Sequence, residues 1–461
     1  MAKKRLFIWL LVLTTSFAQL DAARRDSSYL QLADMPDASF YLPMPPDSAS
    51  LRFVDDWHQY IWGKSVRPTL RGDLARRDAE FGISYLCKMF SVPMGIEISE
   101  KNTPELYKLL LWSTRSTEMA TWKAKDKYMR KRPYMQFSEG TLVPQDEEVL
   151  RSNGSYPSGH TNLGWSAALI LAELNPSRQD LILQRGYQYG DSRVIAGFHY
   201  QSDVDAGRLT ASAGVARLHA DKAFNEQMEK ARRELSAHGI VSRETKGNLT
   251  TFDYPNGAAF LPAPPDTMSM RFYGDWAAYC QGRALRSTPR GTLAKADAEW
   301  RAPIILQHMM DSCGVAIDQQ RVPQLLVLLE NLGTHLSKAN KLTKKQYPRK
   351  RPYAQMHESS LLPEEESTHD ALGSYPSSHA ATGWGLALVM AEIAPHCQDI
   401  ILKRGYQYGE SRIIAGYHWH TDVEAARCLA AATVARLHAE PLFRQQLDKA
   451  KKEFEKAVRQ Q

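Results

Sequence analysis

Residues 125–203 recur as residues 344–422 without insertion or deletion, so this chain is constrained to fold as two copies of one structure. Equivalent positions stand 219 residues apart: Lys125 and Lys344, His160 and His379, Asp203 and Asp422 (344−125, 379−160 and 422−203 are each 219). The correspondence reaches back to Leu42-Pro43 against Leu261-Pro262 and to Trp57 against Trp276, and forward to Arg217-Leu218-His219 against Arg436-Leu437-His438. A unit of this length is far above a solenoid period and falls in the size range of one domain. The expected division is 1–22 as a signal peptide, 23–240 as the first copy and 241–461 as the second, with a linker between about Ser236 and Leu249, where Gly239, Ser242, Gly247 and Asn248 interrupt the helical pattern.

The first residues carry Lys3, Lys4 and Arg5, then an apolar run from Leu6 to Leu13 that grades into Ser16 and Ala18. This pattern predicts a secretory signal with cleavage near Gln19 or Ala23, and the apolar run is too short for a membrane anchor. Loss of those three basic residues takes the net charge from +7 to +4, or to +5 if Asp21 leaves too. A mild positive balance suits anionic small molecules but lacks the long basic runs of a nucleic-acid arm. Later apolar stretches, 167–174 and 385–394, each contain a Glu and are too short to span a bilayer. The expectation is therefore a periplasmic or secreted protein with no nucleic-acid partner and no membrane contact after cleavage. Five cysteines, none recurring at the 219 offset, are too few for a disulfide framework, and any pairing is open.

The periodicity is helical. His160 to Leu174 places Leu163, Ala167, Ile170, Leu171 and Leu174 on one face and stops at Asn175-Pro176; His379 to Ile393 does the same before Ala394-Pro395. Thr103 to Lys123, Val204 to Arg233 and Val322 to Ser337 read alike, and alternating strand-type runs are scarce, so the fold class is all-α. The Pro-rich segments 42–47 and 261–266 read as ordered, extended starts to each copy.

Three repeated blocks carry chemistry. The first is Lys125, Arg132 and Pro133, with Lys344, Arg351 and Pro352. Arg meets phosphoryl oxygens with a planar fork and Lys with a point charge, although such residues alone, with neighbours Lys127, Arg130 and Lys131, are ordinary solvated surface. The second is 154–160, Gly-Ser-Tyr-Pro-Ser-Gly-His, matched by 373–379, Gly-Ser-Tyr-Pro-Ser-Ser-His. It immediately precedes a predicted helix, so backbone N–H groups and Ser158 or Ser377 can face an anion at the helix start, or simply cap it. The third is Ser192-Arg193, His199 and Asp203, with Ser411, Arg412, His418 and Asp422. Asp four residues after His can hold one imidazole nitrogen and leave the other for chemistry, and Gly197 and Gly416 suggest a break that lets the imidazole project. Of fourteen histidines only three recur between halves; the third pair, His219 and His438, sits in a helical stretch and is assigned a structural role.

In this order, Lys-x6-Arg-Pro, Pro-Ser-Gly-His and Ser-Arg-x5-His-x3-Asp resemble the three-part signature of the type 2 phosphatidic acid phosphatase and vanadium haloperoxidase superfamily, twice over. The runs 154–161 and 190–208 are most similar to the bacterial class A non-specific acid phosphatases. The resemblance implies two tandem helical-bundle domains and a metal-independent, cofactor-free acid phosphatase acting on small phosphomonoesters. It implies His199 as nucleophile, forming a phosphohistidine, Asp203 orienting it and His160 as general acid, with His418, Asp422 and His379 in the second copy. Phosphate would be held by Lys125, Arg132, Ser158, Gly159 and Arg193, and by Lys344, Arg351, Ser377, Ser378 and Arg412. Family members commonly associate as dimers, so the two domains are expected to pack as an internal pseudo-dimer. The sequence offers no repeated His or carboxylate cluster of metal-ligand type.

The second copy departs where Ser378 replaces Gly, which keeps the backbone N–H but adds a side chain beside the phosphate. A silent second domain acting as partner, a vanadium haloperoxidase using the same residues, and a module that binds phosphate without turnover are the alternative readings. The natural ester is not fixed by any of these residues.

Overall fold

The computed structural model describes residues 28–240, 252–370 and 373–459. The expected signal peptide and most of the expected linker lie outside the described residues. Every regular element among the described residues is helical. The first half is built on α1 (Leu51–Val66), α2 (Pro104–Met119), α3 (Gly159–Leu174), α4 (Gln179–Ala196), α5 (Gln201–His219) and α6 (Lys222–Ala237). The second repeats them as α7 (Phe272–Ala284), α8 (Pro323–Lys344), α9 (Ser378–Ile393), α10 (Gln398–Ala415), α11 (His420–His438) and α12 (Pro441–Arg459).

Two of the expected long helices are broken. The stretch 204–233 is interrupted after His219, where Asp221 caps a new helix by accepting from the Phe224 N–H. The stretch 103–123 stops at Met119 and restarts at Trp122, with the Thr121 hydroxyl bonded to the Glu118 carbonyl. At the corresponding point of the second half Asn340 bonds back to Leu336 within the helix, and α8 runs unbroken to Lys344.

The central helices α3 and α9 are buried on all sides from Thr161 and Ala380 onward, not on one face as their apolar spacing predicts. Each half covers the other: α3 packs against α4 and α5 and also against α11, while α9 packs against α10, α11 and α5. A single apolar core runs through both halves. The ring of Tyr41 lies against Trp384, and Phe260 reciprocally against Trp165.

The contacts between halves are two-fold in character. Asp37 N–H donates to Asp399 (2.8 Å) and Asn256 N–H to Asp180 (2.9 Å); Gln398 donates to the Asp34 carbonyl and Gln179 to that of Asp253, each at 3.0 Å. Two residues meet their own equivalents. His219 stacks on His438 with centroids 4.1 Å apart, and Asp55 packs into the space left by Gly274, where a Cβ would lie 2.7 Å from the Asp55 carboxyl carbon.

The stacked histidines are buried and each is tied to a carboxylate, His219 to Glu173 (3.0 Å) and His438 to Glu392 (2.9 Å), which in turn pair with Arg232 and Lys451. Packing thus brings His219, Glu392 and His438 within metal-ligand distance of one another, a cluster invisible in the spacing, although Glu392 is already engaged by His438 and Lys451. Burial alone would raise the Glu173 carboxyl, but His219, Arg232 and His438 hold it down to about 2; Glu392 is likewise held low by Lys451 and His438. Burial opposes charge on His438, yet Glu392 and Glu173 raise it above its ordinary value. The carboxylates therefore stabilise the fold above their unfolded value of about 4.3 and lose this contribution as pH falls; His438 contributes below about 6.5 and loses it as pH rises through its folded value. Glu392→Gln is expected to lower stability by about 3 kcal/mol at pH 5.5 and by clearly less at pH 9. Thermal melts at the two pH values check this, and equal losses would show that the charge pair is not the cause.

Candidate active site

In each half three segments converge at the C-terminal end of α4 or α10. The helix closes on Gly197 (φ 89°) or Gly416 (φ 83°), left-handed positions where a Cβ would strike Arg67 or Arg286. The chain then turns back, so that His199 and His418 precede the next helix instead of lying on it, with Tyr200 and Trp419 as N-caps.

The first cavity, about 410 Å³, is lined by Lys125, Arg132, Gly159, His160, Arg193 and His199 among others; the second, about 230 Å³, by Lys344, Arg351, Ser378, His379, Arg412 and His418. Ser158, Ser377, Asp203 and Asp422 sit behind these walls. Ser158 caps α3 and accepts from Thr161 N–H (3.3 Å) and from the Thr161 hydroxyl (3.0 Å); Ser377 caps α9. Their backbones are tied down as well, Ser158 N–H to the Asp203 carbonyl and Ser377 N–H to that of Asp422.

The histidine tautomers follow from what their partners can do. Arg132 Nη1 lies 3.0 Å from His199 Nε2, and Arg351 Nη1 the same distance from His418 Nε2. Guanidinium only donates, so Nε2 is the unprotonated nitrogen and Nδ1 carries the proton. In the second copy that Nδ1–H donates to the Ser374 carbonyl (2.8 Å). The carboxylates stand near, Asp203 Oδ2 3.4 Å from His199 Nδ1 and Asp422 Oδ2 3.6 Å from His418 Nδ1. Their short bonds go elsewhere: Asp203 accepts from Arg130 (2.6 Å) and from Tyr200 N–H (2.9 Å). On the opposite wall His160 Nε2 donates to the Ala79 carbonyl (3.1 Å) and His379 Nε2 to that of Ala298 (2.8 Å), since a carbonyl only accepts.

Arg130, which reads as solvated surface in the sequence, is a buried brace. It bridges Asp203 to Asp56 (2.7 Å) and stacks on Tyr200, and Arg349 does the same between Asp422 and Asp275. Asp56 also accepts from the Ser202 N–H and hydroxyl. A second brace is Asp78, bonded to Ser192 (2.6 Å), Tyr85 and Arg185, with Asp297 bonded to Ser411 and Arg404. Ser192 and Ser411 therefore anchor the helix and do not face the cavity. None of these acids stands out locally, but Asp56/Asp275, Asp78/Asp297 and Arg130/Arg349 all recur at the 219 offset, and that signal could have found them.

The cavity floor is strongly cationic. Arg193 is fully buried, stacks on Phe198, and none of its three guanidinium nitrogens has a hydrogen-bond partner among the described residues. A buried cation without a counter-charge is costly, and an anionic ligand at the floor offsets that cost. Burial and the neighbouring Arg132 bring Lys125 down to about 7, and burial brings Arg132 and Arg193 to about 10. Burial and the surrounding cations hold His199 and His160 well below the ordinary imidazole range, which keeps both neutral until a negative charge arrives. His418, Lys344 and Arg412 shift the same way for the same reasons.

A family model described as "PAP2 superfamily" matches residues 106–225 and again residues 325–444. The chain is 44% identical over 212 residues to a non-specific acid phosphatase of Providencia stuartii, spanning 46% of this chain and 86% of that protein. It is 39% identical over 215 residues to a non-specific acid phosphatase of Salmonella typhimurium (46% and 86%), and 38% identical over 199 residues to an acid phosphatase of Zymomonas mobilis (43% and 75%). Each relative thus corresponds to one half of the present chain.

Proposed function

Because the chain belongs to the PAP2 superfamily through both of its halves, we propose that it is an exported acid phosphatase with two catalytic domains, 23–240 and 241–461, packed as an internal pseudo-dimer. Its relatives carry acid phosphatase activity in their names, and small phosphomonoesters are the substrates this reading assigns to the present chain. The observation that carries the reading is an unprotonated His199 Nε2, held by Arg132, in the same cavity as Lys125 and the unpartnered Arg193 guanidinium. No helix among the described residues is long and apolar enough to cross a membrane, and export rests on the N-terminal sequence alone.

In this reading Arg193, Arg132, Lys125 and the Gly159 N–H take the phosphoryl oxygens, with Ser158 setting the helix start from behind. Catalysis is then mostly positioning and charge stabilisation. His199 Nε2 attacks phosphorus and the ester P–O bond breaks. With His160 Nε2 held by the Ala79 carbonyl, Nδ1 is the nitrogen that delivers a proton to the departing alkoxide. Substrate anion at the floor favours the protonated form of His160, which burial otherwise opposes. Water then attacks phosphorus and gives its proton to His160, the P–N bond breaks, and inorganic phosphate leaves with His199 regenerated. Asp203 stabilises the positive charge that His199 gains and Arg130 holds Asp203 in place. His418, His379, Asp422, Arg412, Arg351 and Lys344 take these parts in the second domain, with Ser377 and the Ser378 N–H at the helix start. The residues supply nucleophile, acid and charge without a metal.

The test is to quench turnover of a labelled phosphomonoester at pH 5.5 in excess chelator. A phosphoenzyme labile in acid, stable in base and mapping to His199 and His418 is expected. Full activity with label on neither histidine would sink the mechanism.

A further inference from the structure

The histidines and cations of the two catalytic floors match, with Gly159 exchanged for Ser378, but the walls above them do not. Three carboxylates, Glu80, Glu118 and Asp146, line the first cavity beside its cations. Lys341, Lys344, Arg351 and Arg412 line the second, and among the described residues no carboxylate does, although Glu365, the equivalent of Asp146, still favours the charged form of Arg412. Ser337 replaces Glu118, and Lys341 replaces Trp122. Glu299, the equivalent of Glu80, is neutralised by Arg301 at 2.7 Å, where the first half has only Gly82.

The apolar surroundings change in step. Phe81 and Glu118 also line a neighbouring depression of about 340 Å³, whose walls include Ile83, Leu111, Met119, Trp122 and Leu163. Their equivalents in the second half are Ala302, Glu330, Lys338, Lys341 and Thr382. Two exchanges run the other way, Arg115 to Thr334 and Lys123 to Leu342; Arg115 lies on the rim of the depression beside Glu118 and not in the first catalytic cavity, and Lys123 pairs with Asp37 (3.6 Å). An apolar shelf beside an acidic wall accepts a flat, uncharged leaving group and repels a second anion. A more basic wall, on which Trp300 in place of Phe81 is what remains of that shelf, does the opposite, because field lines focus in a recessed pocket.

We propose that the two sites divide substrates by leaving group: the first takes monoesters of apolar or aromatic alcohols, and the second takes monoesters whose alcohol carries a further anionic group. This rests on both domains being catalytic. The test compares kcat/KM for phenyl phosphate and for fructose 1,6-bisphosphate in His418→Ala, which leaves the first site, and in His199→Ala, which leaves the second. The bisphosphate-to-phenyl ratio is expected to be about tenfold higher for the second site and to fall with salt. Within His199→Ala, adding Ser337→Glu and Lys341→Trp, which copy the first wall, is expected to bring the ratio most of the way back and to act more on the bisphosphate KM than on the phenyl phosphate KM. Equal ratios in the two single variants overturn the proposal, as does a ratio that ignores the wall exchange. An inactive His199→Ala beside an active His418→Ala also overturns it while leaving the phosphatase reading intact, whereas wild-type protein inactive on both esters removes that reading itself.

Discussion

A His199→Ala/His418→Ala double variant is expected to hydrolyse phenyl phosphate and fructose 1,6-bisphosphate roughly a thousandfold or more slower than the wild type, while each single variant keeps a substantial fraction of the rate on at least one of the two esters. The large effect follows from removing a covalent nucleophile, for which the remaining cations can position a substrate but cannot open a two-step path. The partial effect of each single variant follows from geometry: Arg351 holds His418 Nε2 at the same 3.0 Å as Arg132 holds His199 Nε2, and Arg412 stacks on Tyr417 as Arg193 does on Phe198. Ser378 does line the second cavity, which is the smaller of the two, but the backbone N–H it contributes is unchanged. Steady-state rates of the three variants decide the matter. Should His199→Ala alone abolish turnover of both esters, the second domain is a partner and not a catalyst.

The second large effect is expected from Asp203→Asn, measured in a His418→Ala background so that the other site cannot mask it. Arg130 is wedged between Asp203 and Asp56 with almost no solvent access, so neutralising one acid leaves a buried guanidinium half-compensated. A loss of about 3 kcal/mol is expected, read as a lower melting temperature. Turnover should fall roughly a hundredfold or more, because the imidazolium formed as His199 attacks loses the carboxylate 3.4 Å from its Nδ1. The two readouts are separable: a purely structural Asp203 would lower the melt and leave kcat of the folded enzyme unchanged.

The side chains that meet in the two cavities were legible, because the 219-residue offset picks out positions shared by two otherwise diverged halves. It marked His160, His199 and Arg193 without any knowledge of their packing. The braces behind them were not singled out, since Arg130 sits among Lys127 and Lys131 and only folding shows that it alone is buried. Ser192 shares a block with Arg193 in the sequence, but its hydroxyl turns to Asp78 and only folding shows that it serves as an anchor. The all-α class followed from periodicity, but the one-face reading of α3 failed because a sequence pattern cannot say that a second half covers the other side. Helix breaks at Ala220 and Thr121 depend on caps one residue wide, and these are lost within a long apolar period.

The meeting of Asp55 with Gly274 has a consequence for how this protein can change. In a pair of identical subunits, a residue on the two-fold axis faces itself, and an aspartate there would set one buried carboxylate against another in the same space. Here the position is Asp on one side and Gly on the other, so the larger side chain fills the gap, and burial lifts its carboxyl to about 7 even with Arg271 nearby. Joining the halves in one chain releases the axis from self-complementarity, and with it every other position. A mutation is written once instead of twice, so one half can drift toward a new substrate while its twin continues the old work.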